Sequence, residues 1–81
     1  MRIICGKINR ENVVNYWLCD LKTLNINDIG NYAIVENRND YDLVKIVGIL
    51  ETNEKYLKFV TDVNPYKKVV QIVERNTIRE D

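Results

Sequence analysis

Apolar and polar residues alternate with a period close to two along most of this chain, the spacing at which successive side chains of a strand reach opposite faces. The stretch from Leu24 to Leu50, LNINDIGNYAIVENRNDYDLVKIVGIL, shows it most fully. It predicts a turn at Asn27 to Gly30, a strand NYAIVENR, a polar loop NDYD and a second strand LVKIVGIL, together an antiparallel hairpin in the middle of an all-β domain. In that second strand Val44, Ile46, Gly48 and Leu50 oppose Leu43, Lys45, Val47 and Ile49. Both sets are largely apolar, as a central strand requires, and Gly48 within it predicts a bulge or bend of the kind that closes a small barrel.

The flanking segments extend the pattern. Residues 2 to 8, RIICGKI, predict a first strand with Ile4, Gly6 and Ile8 on one side and Ile3, Cys5 and Lys7 on the other. A polar turn at Asn9 to Asn12 leads into VVNYWLCD, where Val14, Tyr16 and Leu18 alternate with Val13, Asn15, Trp17 and Cys19. If the first set faces inward, Trp17 lies outside or at a rim, where tryptophan often anchors an interface; the alternative is a strand covered on both faces. LKTLNINDIG reads as a folded loop held by one or two apolar side chains, with Gly30 able to supply a positive φ. After a turn at TNEK, YLKFVTDV predicts a half-buried strand with Leu57, Phe59 and Val63 on one face. The last segment is double-edged. Asn64 and Pro65 suit a helix start over residues 65–75, whereas VVQIV is β-branched and predicts a strand from about Lys67 to Glu74, the reading adopted here.

These elements predict one all-β domain over residues 1–76, an antiparallel barrel of five to six strands, with a frayed tail at 77–81. Eighty-one residues form a thin core, because a chain of this length buries only about 60% of the surface it exposes when unfolded. Charge is balanced, with 12 basic and 12 acidic residues, and neither half of the chain is basic. That counts against a protein that neutralises many phosphates. No histidine and no serine occur, which removes Ser-His-Asp, Cys-His and histidine-based metal sites. Three scattered glycines form no phosphate-binding loop. Acid pairs such as Asp40 with Asp42 or Glu51 with Glu54 fall in turns, where carboxylates are ordinarily solvated. No catalytic residue, metal or cofactor is expected. Pairing of the first two strands about Arg10 and Glu11 sets Cys5 against Tyr16 and Cys19 against Arg2, about 10 Å apart along the ladder at about 3.3 Å per residue. The two cysteines are therefore expected to be reduced and structural, in the cytoplasm. The N-terminal apolar run is far too short for a secretory signal or for the about 20 residues that cross a bilayer.

The residues Ile29, Gly30, Asn31, Tyr32, Ala33, Ile34 and Val35, followed after a loop by Leu43, Val44, Lys45, Ile46 and Val47, resemble the turn-strand-loop-strand pattern of small SH3-like β-barrel proteins of phages and other mobile elements. YWLCD looks like the tyrosine-rich strand that commonly precedes it. The resemblance covers about half of the chain and implies a barrel. It departs at Asn31, where an aspartate is usual, which leaves any role of that acid unassigned. Two functional readings follow. In the first the chain is a non-enzymatic protein-binding module, a phage-encoded inhibitor of a host defence or host enzyme acting in the host cytoplasm. Trp17, Tyr32, Tyr41, Tyr56 and Tyr66 would be its anchors, or a free strand edge would be lent to the partner; self-association into a homodimer is compatible with it. In the second, ranked behind it on charge, a patch of Lys55, Lys58, Lys67 and Lys68 with nearby aromatic rings binds nucleic acid. Such lysine runs are more often solvated faces.

Overall fold

The computed structural model describes residues 2–8, 12–37, 39–51, 53 and 68–77. Within them the chain is all-β: β1 (Arg2–Ile8), β2 (Asn15–Cys19), β3 (Tyr32–Asn37), β4 (Asp40–Glu51) and β5 (Val69–Val73), with single 3-10 turns at Ile26–Asp28 and Arg75–Thr77. Antiparallel pairing joins them in one sheet of order β2-β1-β4-β3-β5. The sheet curls into a half-barrel of the small SH3-like kind. Its two edge strands meet at a parallel bridge between Leu18 and Lys68, where the Lys68 ammonium stands 3.0 Å from the Asp20 carboxylate. The segment YLKFVTDV, expected as a strand, lies outside the described residues, as does most of the expected tail.

Curling puts one side of every strand against a common core. Ile4, Trp17, Cys19, Ala33, Val35, Val44, Ile46 and Val69 supply it from all five strands, and Leu24, 2% exposed, enters from the loop before β3. Full burial of one such aliphatic side chain contributes about 1.5–3 kcal/mol. The first hairpin has the register that its turn predicts, Cys5 opposite Tyr16 and Arg2 opposite Cys19. Both thiols are free.

Trp17 corrects the expectation of an exposed anchor: the ring is 4% exposed. Its room is made by Gly6. A Cβ added there would lie 3.0 Å from Cζ3 of Trp17 and 3.0 Å from Cγ2 of Val44, so the indole occupies the volume a side chain would need. Leu18 and Cys19 are also buried, and the end of β2 is covered on both faces. Simple alternation could not choose between its two sides.

The bulge expected near Gly48 falls at Val47. Register runs from Cys5 opposite Gly48 to Gly6 opposite Ile46, leaving Val47 unpaired. A Cβ on Gly48 would meet only Cys5, at an ordinary 3.6 Å. The expected NDYD loop is instead the start of β4. Asn37 pairs with Asp40 as the last pair of the ladder, and the Asn37 amide donates to the Asp42 carboxylate across it. Polar side chains that suit loops here bond to each other, and Tyr41 is drawn into the sheet opposite Glu36. At the C-terminal end the β-branched run prevails over the helix alternative, since Val69–Val73 pairs with β3.

The loop from Asp20 to Asn31 is tied down at both ends. The Arg2 guanidinium donates from Nη2 to the carbonyl of Leu21 at 2.7 Å and from Nη1 to that of Leu24. Gly30 sits at φ 98° and donates to the Ile46 carbonyl at 2.9 Å, while Ile46 donates to the Asn31 carbonyl at 2.9 Å.

Two glycine substitutions separate these effects. Gly6→Ala should lower the unfolding free energy by about 1–3 kcal/mol, the usual cost of overpacking, and red-shift the emission of Trp17. Gly48→Ala should change it by less than about 1 kcal/mol, because ordinary van der Waals space is available. Urea denaturation followed by tryptophan fluorescence reads both.

Candidate functional site

The strand alternation that sends Ala33, Val35, Val44 and Ile46 inward sends Tyr32, Ile34 and Glu36 of β3, and Tyr41, Leu43 and Lys45 of β4, to the convex outer face. The register arranges them in three rows: Lys45 beside Tyr32, Leu43 beside Ile34, and Tyr41 beside Glu36. Tyr41 is 62% exposed and Leu43 41%. Lys7 of β1 continues the first row on one side and Val73 of β5 on the other. The face therefore has a basic end, an apolar middle and an acidic end. Neither Lys45 nor Glu36 enters an ion pair among the described residues.

Of the rings expected as anchors, the structure brings Tyr32 and Tyr41 to this face, at its two ends and about 14 Å apart along the strands at about 3.4 Å per residue. It removes Trp17 to the core. Tyr56 and Tyr66 lie outside the described residues. Leu43, exposed, and Ile34, half-buried, lie beside each other on this face and are not among the expected anchors. The signal was present, since Leu43 shares its alternation set with Lys45, and an unpaired lysine marks the side that faces water. Among the lysines of the nucleic-acid reading, Lys68 is held by Asp20, and Lys55, Lys58 and Lys67 lie outside the described residues.

A concavity of about 430 Å³ opens between the loop before β3 and the end of β5, lined by Asn25, Asp28, Asn31, Glu74 and Arg75 among others. Its wall is built by side-chain capping. Asn25 caps the 3-10 turn, accepting from the Asn27 N–H at 2.8 Å, while Asp28 accepts from the Asn25 N–H at 3.0 Å. Asn31 uses both ends of its amide: Nδ2 donates to Asp28 Oδ1 at 3.2 Å, and Oδ1 accepts from the Arg75 N–H at 3.2 Å. An aspartate, usual at this position in the resembled pattern, would place two carboxylates against each other here. Asn31 is thus matched to Asp28 and joins the loop to the end of β5. Two carboxylates and one guanidinium leave this cleft without the positive field that an anionic ligand requires.

Neither cysteine has the setting of a nucleophile. Burial pushes the thiol of Cys5 up from its ordinary value, and burial does the same for Cys19, outweighing a backbone hydrogen bond from Leu21 and the nearby Arg2 charge. Among the described residues no group of three or more cysteine, aspartate or glutamate side chains could hold a metal ion. No helix among them is long and apolar enough to cross a membrane.

The fold and its surface define a small curled β-sheet domain with an apolar, tyrosine-flanked outer face. No family model, curated protein or solved structure matches this chain.

The thiols and the amide each lead to an expected outcome. Folded Cys5 and Cys19 keep their protons to higher pH than unfolded thiols, so the stability they contribute is complete below pH 9.0 and declines as pH rises past it. Cys19→Ala should flatten that alkaline decline in urea titrations compared across pH. Asn31→Asp should cost about 1–3 kcal/mol at neutral pH through the lost bond and the new repulsion. Acidification should shrink that deficit as one of the facing carboxyls takes up a proton, which thermal melts at several pH values will show.

Proposed function

We propose that this chain is a non-catalytic protein-binding module whose contact surface is the outer face of the β3–β4 ribbon. The observation that carries the proposal is the placement of Leu43 and Ile34, both apolar, between Tyr32 and Tyr41 on a side of the sheet that the core does not need. An exposed leucine beside a half-buried isoleucine on one face, with rings at the edges and charges beside them, has the usual composition of a contact patch. Balanced overall charge supports a protein partner over a nucleic acid. The resemblance to barrels of mobile elements directs the same reading to a host protein, a defence component or a host enzyme that the module would inhibit.

The reading is tested by capture from bacterial lysate with the whole chain as bait. Binding should survive nuclease treatment and be lost by about tenfold or more with Tyr41→Ala, while the melting temperature of the variant stays close to that of the parent. Capture that disappears with nuclease, or that is indifferent to Tyr41, would refute it.

A further inference from the structure

We propose that the outer face of the β3–β4 ribbon is covered by a second copy of this chain, around a two-fold axis that crosses the strands through Leu43 and Ile34. This rests on the reading of that face as a contact surface; the second copy takes it in the absence of a host protein, which would compete for the same side chains. The rows make the face complementary to itself. Rotation about such an axis keeps each strand over its counterpart and exchanges the two ends of the face. Leu43 then meets Leu43 and Ile34 meets Ile34. Lys45 at the basic end comes over Tyr41 of the other copy, an ammonium on a phenol ring, and Tyr32 comes over Glu36. The two Lys45 side chains stay apart, and so do the two Glu36 side chains.

The other two-fold axis in the plane, parallel to the strands, is poorer. It would set β1 over β5 and press the Lys7 ammonium onto Val73. Packing with the axis across the strands also leaves the strands of the two sheets nearly aligned, the arrangement face-to-face sheets adopt. The outer face is convex, so contact is limited to the two central strands, about 5 Å apart. That area is well below the about 800 Å² per partner of a standard interface, and the dimer is accordingly weak and concentration-dependent.

The test uses the whole chain and needs no partner. Sedimentation velocity from about 10 µM to about 1 mM should show the mass rising from monomer toward dimer. A monomer throughout would overturn the proposal and leave a face-dependent, nuclease-resistant capture from lysate untouched. Leu43→Lys and Leu43→Glu should each weaken self-association by about tenfold or more, since each sets like charges against each other at the axis. Mixing the two should restore a dimer of mixed composition. A mixture that stays monomeric, or dimers that persist in both variants alone, would overturn the axis. Tyr41→Lys, at a position 62% exposed, gives an independent arm: it sets an ammonium over Lys45 of the other copy and should weaken the dimer with no loss of fold by circular dichroism. Unchanged association in that variant would count against the pairing.

Discussion

The contact between the Trp17 ring and the bare backbone of Gly6 is the constraint from which the rest of this half-barrel follows. An 81-residue chain has little apolar volume to gather, and its single indole is the largest piece of it. The ring and Val44 of β4 both crowd the place where a side chain on Gly6 of β1 would stand, so that three adjacent strands of the sheet pack at one point. That packing exists only because Gly6 has no side chain. The register shift immediately beside Gly6, with Val47 left over, bends β4 around the same point. Curvature and core filling are thus one event, placed at the middle of the sheet.

Closure at the ends relies on polar groups. Arg2, at the start of β1, reaches the carbonyls of Leu21 and Leu24, and so fastens the loop that carries Leu24 into the core. Asn31 does the corresponding work at the entry to β3, linking Asp28 in the loop, Ile46 in β4 and Arg75 after β5. Charge-assisted and side-chain-to-backbone bonds of this kind contribute about 1–3 kcal/mol each, a useful share of the stability of a domain with so thin a core. The choice of asparagine at position 31 is understandable only with its partners in view, because it must donate on one side and accept on the other.

Much of this was readable before any coordinates. The bounds of β1, the register of the first hairpin, the positive φ of Gly30 and the central position of β4 all follow from turn chemistry and alternation, which act over a few residues. What escaped was decided at longer range. Trp17 and Leu18 point to opposite sides of β2, and both are buried, so the period-two pattern carried no information about which side was the core. Asp40, Tyr41 and Asp42 are loop formers by type, yet a bond between Asn37 and Asp42 keeps them in the ladder. The candidate surface was half visible for the same reason. Tyr32 and Tyr41 could be named as rings, but the two aliphatic residues that make them a face are joined only by the pairing of Ile34 with Leu43.

The topology also bears on the proposed contact with another protein. A partner strand needs a free ladder, and among the described residues β2 and β5 are the edges of this sheet. Those edges meet at a single bridge between Leu18 and Lys68, beside the exposed ion pair of Lys68 with Asp20. β3 pairs with β4 along its whole length and with β5 over Tyr32–Val35, and β4 pairs with β3 over Asp40–Lys45 and with β1 over Val44–Glu51, with Val47 left over. Most of their backbone is engaged in these ladders, and what their outer face presents is side chains, Leu43 and Tyr41 the most exposed of them. On the proposed reading, recognition is a matter of side chains meeting face to face, with Leu43 and Ile34 as the apolar contact and Lys45 and Glu36 setting the orientation.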